Sequence, residues 1–260
     1  MVNPIGSNAG VDAADALAIA ALLGHATGPL ADSHSRRLAI VKGLCLLLRA
    51  TAGHWAWGRG TPQDSCVAPL GIIDSGYTDV HRHALMTGSL LPDTDALIRK
   101  PVLLQLVRDQ RAIHVRSDVV DDARWKASKL YEYFAPAGMA EWVQGVRYVG
   151  TDTWFNLFFF RSEADGAFGE RESGIVAAMI AHAACLQVAA AEQVPAEAFV
   201  GLTSRQRAVM LLLLDGLGRK QVATTLQISI DTVNDHAKAI FKHFGVSSIT
   251  ELAARFLKNV

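Results

Sequence analysis

His81 and His83 stand one residue apart, and Asp118, Asp121 and Asp122 form an acidic group further along the chain. Imidazoles and carboxylates ligate zinc and exchange protons, so these two groups are the first candidates for metal-assisted hydrolysis. Their spacing argues against it. An i, i+2 pair shares a face only on a strand, whereas Asp79 to Met86 has helical periodicity, and no third ligand or nucleophile motif stands nearby. The carboxylates lie where a loop meets a helix, which makes them capping and solvated groups. The expectation is a protein that is not an enzyme, with no catalytic residue, no metal and no cofactor.

Binding chemistry is better represented. Trp55, Trp57, Tyr77, Trp125, Tyr131, Trp142 and Trp154 could line an apolar pocket for a small organic molecule. Aromatic residues in strands also pack the covered side of a sheet, so each has a structural use as well as a ligand-binding one. A Walker-type nucleotide loop is absent.

A different chemistry stands near the C-terminus. Thr203-x-x-Gln206 reads as a capping box opening a helix, and Gly216 as its stop. Arg219 to Leu226 is a second helix with Val222, Ala223 and Leu226 inward. Ser229 can cap a third, in which Val233, Ala237, Ile240, Phe241 and Phe244 share one face and Asp231, Asn234, Asp235, Lys238 and Lys242 the other. Ser248-x-x-Glu251 opens a fourth. Two short helices joined by a tight turn, the second with a polar outer face, have the form of a motif that reads a major groove. The charge agrees: 201–260 holds 8 Lys+Arg and 4 Asp+Glu, a net +4 that offsets −4 in the first 200 residues, and the whole chain is neutral.

Leu202-Thr203-x-Arg205, Gly216-Leu217, Lys220-x-Val222-Ala223, Leu226-x-Ile228-Ser229, Thr232-Val233-x-x-His236 and Gly245-Val246 resemble the LuxR/FixJ-type DNA-binding domain in order and spacing. That resemblance implies a four-helix, all-α domain whose helix-turn-helix runs from Arg219 to Lys238. Asn234, Asp235 and Lys238 would then read bases, and Arg219, Lys220, Thr232, His236 and Lys242 would lie near phosphate. Three residues depart from the pattern. Gln206 replaces a usual Glu, Gly218 a usual Ser or Thr cap, and Ile249 a common Arg.

The elements before this domain mix periods. Helical patterns cover Asp12 to Leu23, Ser35 to Ala50 and Pro101 to Arg108; strand patterns cover His54 to Gly58, Ala112 to Arg116, Trp142 to Val149 and Trp154 to Phe160, the last two forming a hairpin. A closing helix follows Phe168, with Ile175, Met179, His182, Leu186 and Ala189 on one stripe. Ser117-Asp118, Tyr131-x-x-Phe134-x-Pro136-x-Gly138, Leu157 to Arg161 and Phe168-x-x-Arg171-Glu172 resemble GAF-like or PAS-like input domains, which implies an α+β sandwich used for sensing. A phosphoacceptor receiver does not fit, because Asp12 and Asp15 fall in a helical pattern. Acyl-homoserine-lactone receptors carry a spaced Trp, Tyr and Asp-Pro set; here Trp55, Trp57, Tyr77 and Asp79 occur without the Asp-Pro or the spacing.

The chain of 260 residues is half hydrophobic and 19% charged, enough to fold around sizeable cores. Cys45, Cys66 and Cys185 are odd in number and widely separated, as in a reducing compartment. The N-terminus lacks the pattern of a signal peptide. The apolar run from Gly174 to Ala191 carries His182 and Gln187 and reads as a buried helix rather than a membrane span. The sequence therefore predicts a cytoplasmic regulator: residues 1–193 a sensing or dimerisation domain, 194–200 a linker, 201–260 the DNA-binding domain. Its expected partners are double-stranded DNA, a second copy of itself and a small-molecule effector, with no membrane. An alternative is an interaction protein whose helix-turn-helix no longer reads DNA; Asp235, Ile249 and the modest +4 favour it.

Overall fold

A computed structural model describes residues 10–26, 33–59, 68–89, 91–149, 153–183, 201–203, 205–206, 209–210, 213, 218–226 and 228–257. Two helices, α1 (Ala13–Ala26) and α2 (Ser33–Leu47), precede strands β1 (Ala52–Arg59) and β2 (Ala68–Ser75). Then come α3 (Asp79–Gly88), a short turn α4 (Pro92–Thr94), a π-helical turn (Asp95–Arg99) and α5 (Lys100–Asp109). Strand β3 (Arg111–Val115) leads into the short helices α6 (Arg116–Val119), α7 (Asp122–Lys126) and α8 (Lys129–Phe134). Strands β4 (Glu141–Val149) and β5 (Thr153–Arg161) form the expected hairpin, and α9 (Glu170–His182) closes the domain.

The five strands make one antiparallel sheet in the order β2-β1-β5-β4-β3. Strand alternation divides its side chains between two covers. On one face Trp55, Val143, Phe155, Leu157 and Phe159 pack against α1, α2 and α9. Gly145 permits the close approach of α9, since a Cβ there would stand 2.5 Å from Val176 and 2.7 Å from Ile180. Arg171 at the start of α9 donates to both carboxylate oxygens of Asp15 of α1, from Nη2 at 2.6 Å and Nε at 3.0 Å. On the other face two separate apolar clusters form. One joins Trp142, Phe158 and Phe160 to Trp125, Leu130 and Phe134 of α7 and α8; the other joins Ala112, Val146 and Tyr148 to Val102 and Leu106 of α5.

Within α9, Ile175, Val176, Met179 and Ile180 are fully buried in their own domain, so this part of the expected stripe closes the core instead of offering a pairing surface. His182 departs from the stripe and is exposed. Leu186, Ala189 and the linker 194–200 lie outside the described residues. Among the described residues no helix is long and apolar enough to cross a membrane.

The C-terminal part has its own core of Leu202, Val209, Met210, Leu213, Val222, Ala223, Leu226, Val233, Ala237, Ile240, Phe244 and Leu252. Helical residues Arg205, Gln206, Val209, Met210 and Leu213 precede α10 (Arg219–Leu226), α11 (Ile230–Phe244) and α12 (Ile249–Leu257). The first box forms as expected: Gln206 N donates to Thr203 Oγ1 at 3.2 Å and Thr203 N to Gln206 Oε1 at 2.8 Å. Met86 of α3 also packs against this second core, where α3 lies beside α10.

Candidate nucleic-acid interface and sensing site

The start of α10 and both ends of α11 have a local cause. Gly218 offers no side-chain cap, yet its N–H donates to Gln221 Oε1 at 2.8 Å, so half of a capping box survives at the start of α10. Ser229 Oγ accepts from Thr232 N at 3.0 Å and starts α11. Gly245 ends it in the left-handed conformation, φ 63°, which a residue with a Cβ resists. At α12, Glu251 N donates to Ser248 Oγ at 3.1 Å, but the Glu251 carboxylate accepts from Ser247 N at 2.8 Å, one residue earlier than the box pattern requires.

Val233, Ala237, Ile240 and Phe244 turn inward along α11, while Asp231, Asp235, Lys238 and Lys242 are exposed and Thr232, Asn234 and His236 half exposed. Arg219 and Lys220 are exposed at the start of α10. The eight residues expected at DNA thus gather on the outer side of α11 and the leading end of α10. Two of their contacts were not foreseen. Arg219 Nη1 donates to Asn234 Oδ1 at 2.9 Å, and Lys238 Nζ lies 3.3 Å from Asp235 Oδ1. Ile249 packs against the domain core, which accounts for an apolar residue where a phosphate contact is common. A 15-residue helix is about 22 Å long, a length and width that the major groove admits.

The sensing domain holds a second feature, on the sheet face covered by α3, α5, α7 and α8. Strand register places Asp74, His54, Phe158, Gln144 and His114 in one row across all five strands, and Asn156 in the next row beside Val146 and Ala56. Gln144 Oε1, Asn156 Oδ1, His114 Nε2 and Trp142 Nε1 are buried without a hydrogen-bond partner. These polar atoms fall between the two apolar clusters of that face, so a polar band interrupts it. A buried polar atom without a partner carries a desolvation cost, and these four occupy adjoining positions of one face.

One end of the band is aromatic. His54 Nδ1 and Tyr77 Oη share a 2.6 Å hydrogen bond, His54 stacks on Phe158, and His81 of α3 packs its ring on Phe160. Thr78 N donates to His81 Nδ1 at 3.0 Å, which leaves the proton of the neutral ring on Nε2. Burial pushes His54 down to about 3 and lowers His81 and His114 as well, so all three imidazoles are neutral at neutral pH. Among the nearby charges Arg82 pairs with Asp74 at 2.7 Å and Arg116 with Glu141 at 2.9 Å and with Asp122, while the exposed Asp118 carboxylate lies close enough to His114 to act on its pKa, opposing the lowering by burial.

The seven aromatic residues expected at a ligand do not assemble in one place. Tyr77, Trp142 and Trp154 belong to the face with the polar band, but Trp55 and Trp57 lie on the opposite face, Trp55 fully buried against Phe155. Trp125 donates its indole N–H to Ala140 O at 3.0 Å, and the Tyr131 hydroxyl donates to Glu163. His83 turns toward Tyr133 and Thr87 and away from His81. Asp118 accepts from Val115 N and Asp121 from Arg124 N, the capping uses read from their positions. Sequence reasoning missed His54, His114, Gln144 and Asn156. An open hollow of about 650 Å³ elsewhere, beside Leu104 and Val107 of α5, includes none of these polar residues.

No curated protein matches the chain. Among solved structures, SdiA in complex with octanoyl-rac-glycerol is 13% identical, with a TM-score of 0.46 over 94% of each chain. Escherichia coli SdiA is 12% identical, with a TM-score of 0.46 over 91% of this chain and 94% of that one. The VqsR LBD domain from Pseudomonas aeruginosa is 14% identical, with a TM-score of 0.40 over 68% of this chain and 95% of that one. The expected GAF- or PAS-like character reaches only as far as an α+β domain on a five-stranded antiparallel sheet. Residues 200–256 match the model for bacterial regulatory proteins of the luxR family, and that segment is a LuxR-family helix-turn-helix domain.

Proposed function

We propose that the protein is a sequence-specific DNA-binding transcription regulator that binds as a homodimer, and that a small molecule held in the polar band of residues 1–193 controls it. The observation that carries the DNA reading is the outer side of α11. Asn234, Asp235 and Lys238 stand there on a helix fixed at both ends, inside a segment that matches the luxR family. One such helix contacts only a few base pairs, too few to single out a site in a genome. Two related half-sites about one helical turn apart meet that need.

The band also suggests what the effector is made of. Gln144 and Asn156 present acceptors and Trp142 a donor, all from neutral side chains. The occupant is an uncharged molecule with hydroxyl or amide groups and an apolar part that meets Phe158 and Phe160.

The test is selection of duplexes from a random pool by the full chain, followed by mobility shift in a salt series and sedimentation of the complex. The expected outcome is a site with two related halves, bound by two chains, whose affinity falls linearly in log–log form with salt. Binding of one asymmetric half-site by a monomer with full affinity would overturn the dimeric reading. Failure to enrich any duplex, together with capture of the chain by another protein, would favour the interaction reading suggested by Asp235.

A further inference from the structure

Helix α5 is apolar on two sides and covered on one. Val102 and Leu106 turn inward and pack with Ala112, Val146 and Tyr148. On the other side Lys100, Leu103, Leu104 and Val107 follow the i, i+3, i+4, i+7 spacing that gathers residues along one face of a helix. Leu103 is half buried at the edge of that face, but Leu104 is 66% exposed and Val107 50%. The outer face of a surface helix normally carries polar and charged residues, so two large apolar side chains one turn apart there call for a cover.

The turn before α5 shapes this face. Asp95–Arg99 is π-helical, a rare form found often at functional sites. Leu97 and Ile98 on it pack into the cluster below, while Arg99 and Lys100 emerge outward. Ala96, Leu103, Leu104 and Val107 border the resulting open hollow of about 650 Å³. Arg99 Nη2 donates to Ser89 O at 2.7 Å, which fixes that guanidinium at the rim. Among the described residues the lining therefore holds two cations, Arg99 and Lys100, and no carboxylate.

Shape and charge decide what fills such a place. A small molecule would keep one side in water here, whereas pockets for such ligands cover most of their surface. A second copy of the chain would meet the face through a two-fold axis, which sets the same patch against itself. Two hollows would then oppose each other and leave a void that forfeits close packing. The cations of both copies would also enter one interface with no carboxylate of the lining to meet them. A convex, acidic partner meets neither objection. An amphipathic helix has that form, with an apolar row to enter the hollow and carboxylates on its flank to reach Lys100 and Arg99.

We propose that the outer face of α5 is a docking site for an acidic amphipathic helix of another protein. That site uses none of the residues assigned to DNA or to the polar band, so it stands whether or not the chain regulates transcription.

The experiment selects peptides of about 16 residues, between four and five helical turns, from a displayed random library on the full chain. Enriched peptides are then titrated against the parent, Leu104→Ser, Lys100→Glu and the control Val80→Glu, which alters an exposed apolar residue of α3. The enriched peptides are expected to combine apolar residues at i, i+3, i+4 and i+7 with Asp or Glu, and to bind the parent less tightly as salt rises. Leu104→Ser is expected to weaken them about tenfold, the loss of one leucine covered on binding. Lys100→Glu is expected to weaken them as well, and to prefer the same peptides with Lys in place of Glu. Val80→Glu is expected to change nothing, and all four proteins to melt together because the altered residues are exposed. Enrichment of no peptide, enriched peptides without acidic residues, or binding that survives Leu104→Ser would each overturn the docking site. Sedimentation of the chain alone tests the remaining occupant: self-association that Leu104→Ser abolishes would put a second copy on this face, and would overturn it too.

Discussion

Arg219 Nη1 donates a 2.9 Å hydrogen bond to Asn234 Oδ1, which joins the leading end of the first helix of the motif to the reading side of the second. The pair divides two tasks that DNA recognition requires, backbone positioning and base readout, between residues that hold each other before DNA arrives. An asparagine amide matches the donor and acceptor of an adenine edge, whereas a guanidinium released from it can turn to phosphate. Asn234→Ala is expected to change the preferred base at one position of each half-site, a discrimination of about 1–3 kcal/mol. Arg219→Ala is expected to weaken all sequences about equally and to lower the salt slope by about one. Competition binding with single-base operator variants at several salt concentrations separates the two patterns. Equal losses across all operators for both variants would contradict the division.

Asp235 is the residue that sits worst on a DNA-facing surface, and its contact with Lys238 Nζ at 3.3 Å gives it a role. Both side chains are exposed, so the pair contributes little to folding. Its effect lies in the complex, where the carboxylate offsets one lysine charge unless a cytosine amine engages it. Asp235→Asn is expected to leave the melting temperature within about 1 °C, because exposed pairs contribute at most a fraction of a kcal/mol. It should also raise affinity for random duplex and narrow the gap between specific and random binding. A loss of affinity for both would show that Asp235 contributes attraction.

Much of this surface could be read from the sequence, and the reason is local. Caps such as Ser229, stops such as Gly245 and the inward stripe of Val233, Ala237, Ile240 and Phe244 depend on neighbours within one or two turns, so spacing alone places them. The pairing of Arg219 with Asn234 could not be read in this way, since it depends on how two helices cross. The sheet shows the same division. The hairpin of β4 and β5 was legible from alternation, but β2 was not, because Ala68 to Ser75 sets Pro69 and Gly71 among its apolar residues and pairs Ile72 with Ile73, which breaks the alternation. Trp55 and Trp142 look alike in sequence and end on opposite faces, a matter of strand register fixed by partners far along the chain. One signal was present and overlooked. Gln144 and Asn156 fall in phase with Trp142, Val146 and Phe158, and a polar residue at an inward position of a strand needs a partner.

Acid should destabilise the protein through its buried imidazoles. Burial holds His54 neutral with its pKa down at about 3, well below the ordinary 6.5 that it regains on unfolding. Between those values the unfolded chain binds a proton that the folded chain refuses, so stability is full above about pH 6.5 and falls as pH is lowered toward 3. One such group contributes a slope of at most about 1.4 kcal/mol per pH unit, and His81 and His114 act in the same direction. His54→Phe is expected to flatten the slope by about one proton, whatever the substitution does to absolute stability. Urea unfolding at pH 6.5, 5.8 and 5.2 measures it, and parallel curves for parent and variant would show that His54 takes up no extra proton on unfolding.

The buried ion pair of Arg116 with Glu141 should be costly to break. Nε and Nη2 of Arg116 reach the two carboxylate oxygens at 3.3 and 2.9 Å, and both side chains are nearly inaccessible. Removing one partner strands the other charge, at a cost of about 3–5 kcal/mol. Arg116→Met is therefore expected to lower stability by that order, and the double variant Arg116→Met with Glu141→Leu to recover much of the loss. Recovery is expected because an apolar pair of similar volume is often as stable as the ions it replaces. A double variant no better than the single one would mean that Arg116 contributes mainly through Val120 O and Asp122, its other partners.

Gln144 offers the most direct test of the polar band. Its Oε1 is buried with no partner on β4, opposite His114 on one side and Phe158 on the other. If the amide is kept for an effector, the empty protein carries its desolvation cost with no return, about 1–3 kcal/mol. Gln144→Leu removes the polar atoms with the loss of one side-chain heavy atom, so it is expected to raise the urea midpoint of the protein alone. Asn156→Leu, which keeps the number of side-chain heavy atoms, should act in the same direction beside Val146. The same two substitutions should abolish any thermal stabilisation by neutral diol or amide probes such as 1,2-octanediol and hexanamide. Hexanoate and hexylamine should give none even with the parent, because the unpartnered atoms of the band belong to neutral side chains that do not repay the desolvation of a charge. A parent stabilised by hexanoate in preference to hexanamide would contradict an uncharged effector. A Gln144→Leu protein less stable than the parent would show that the amide serves the fold instead of a ligand.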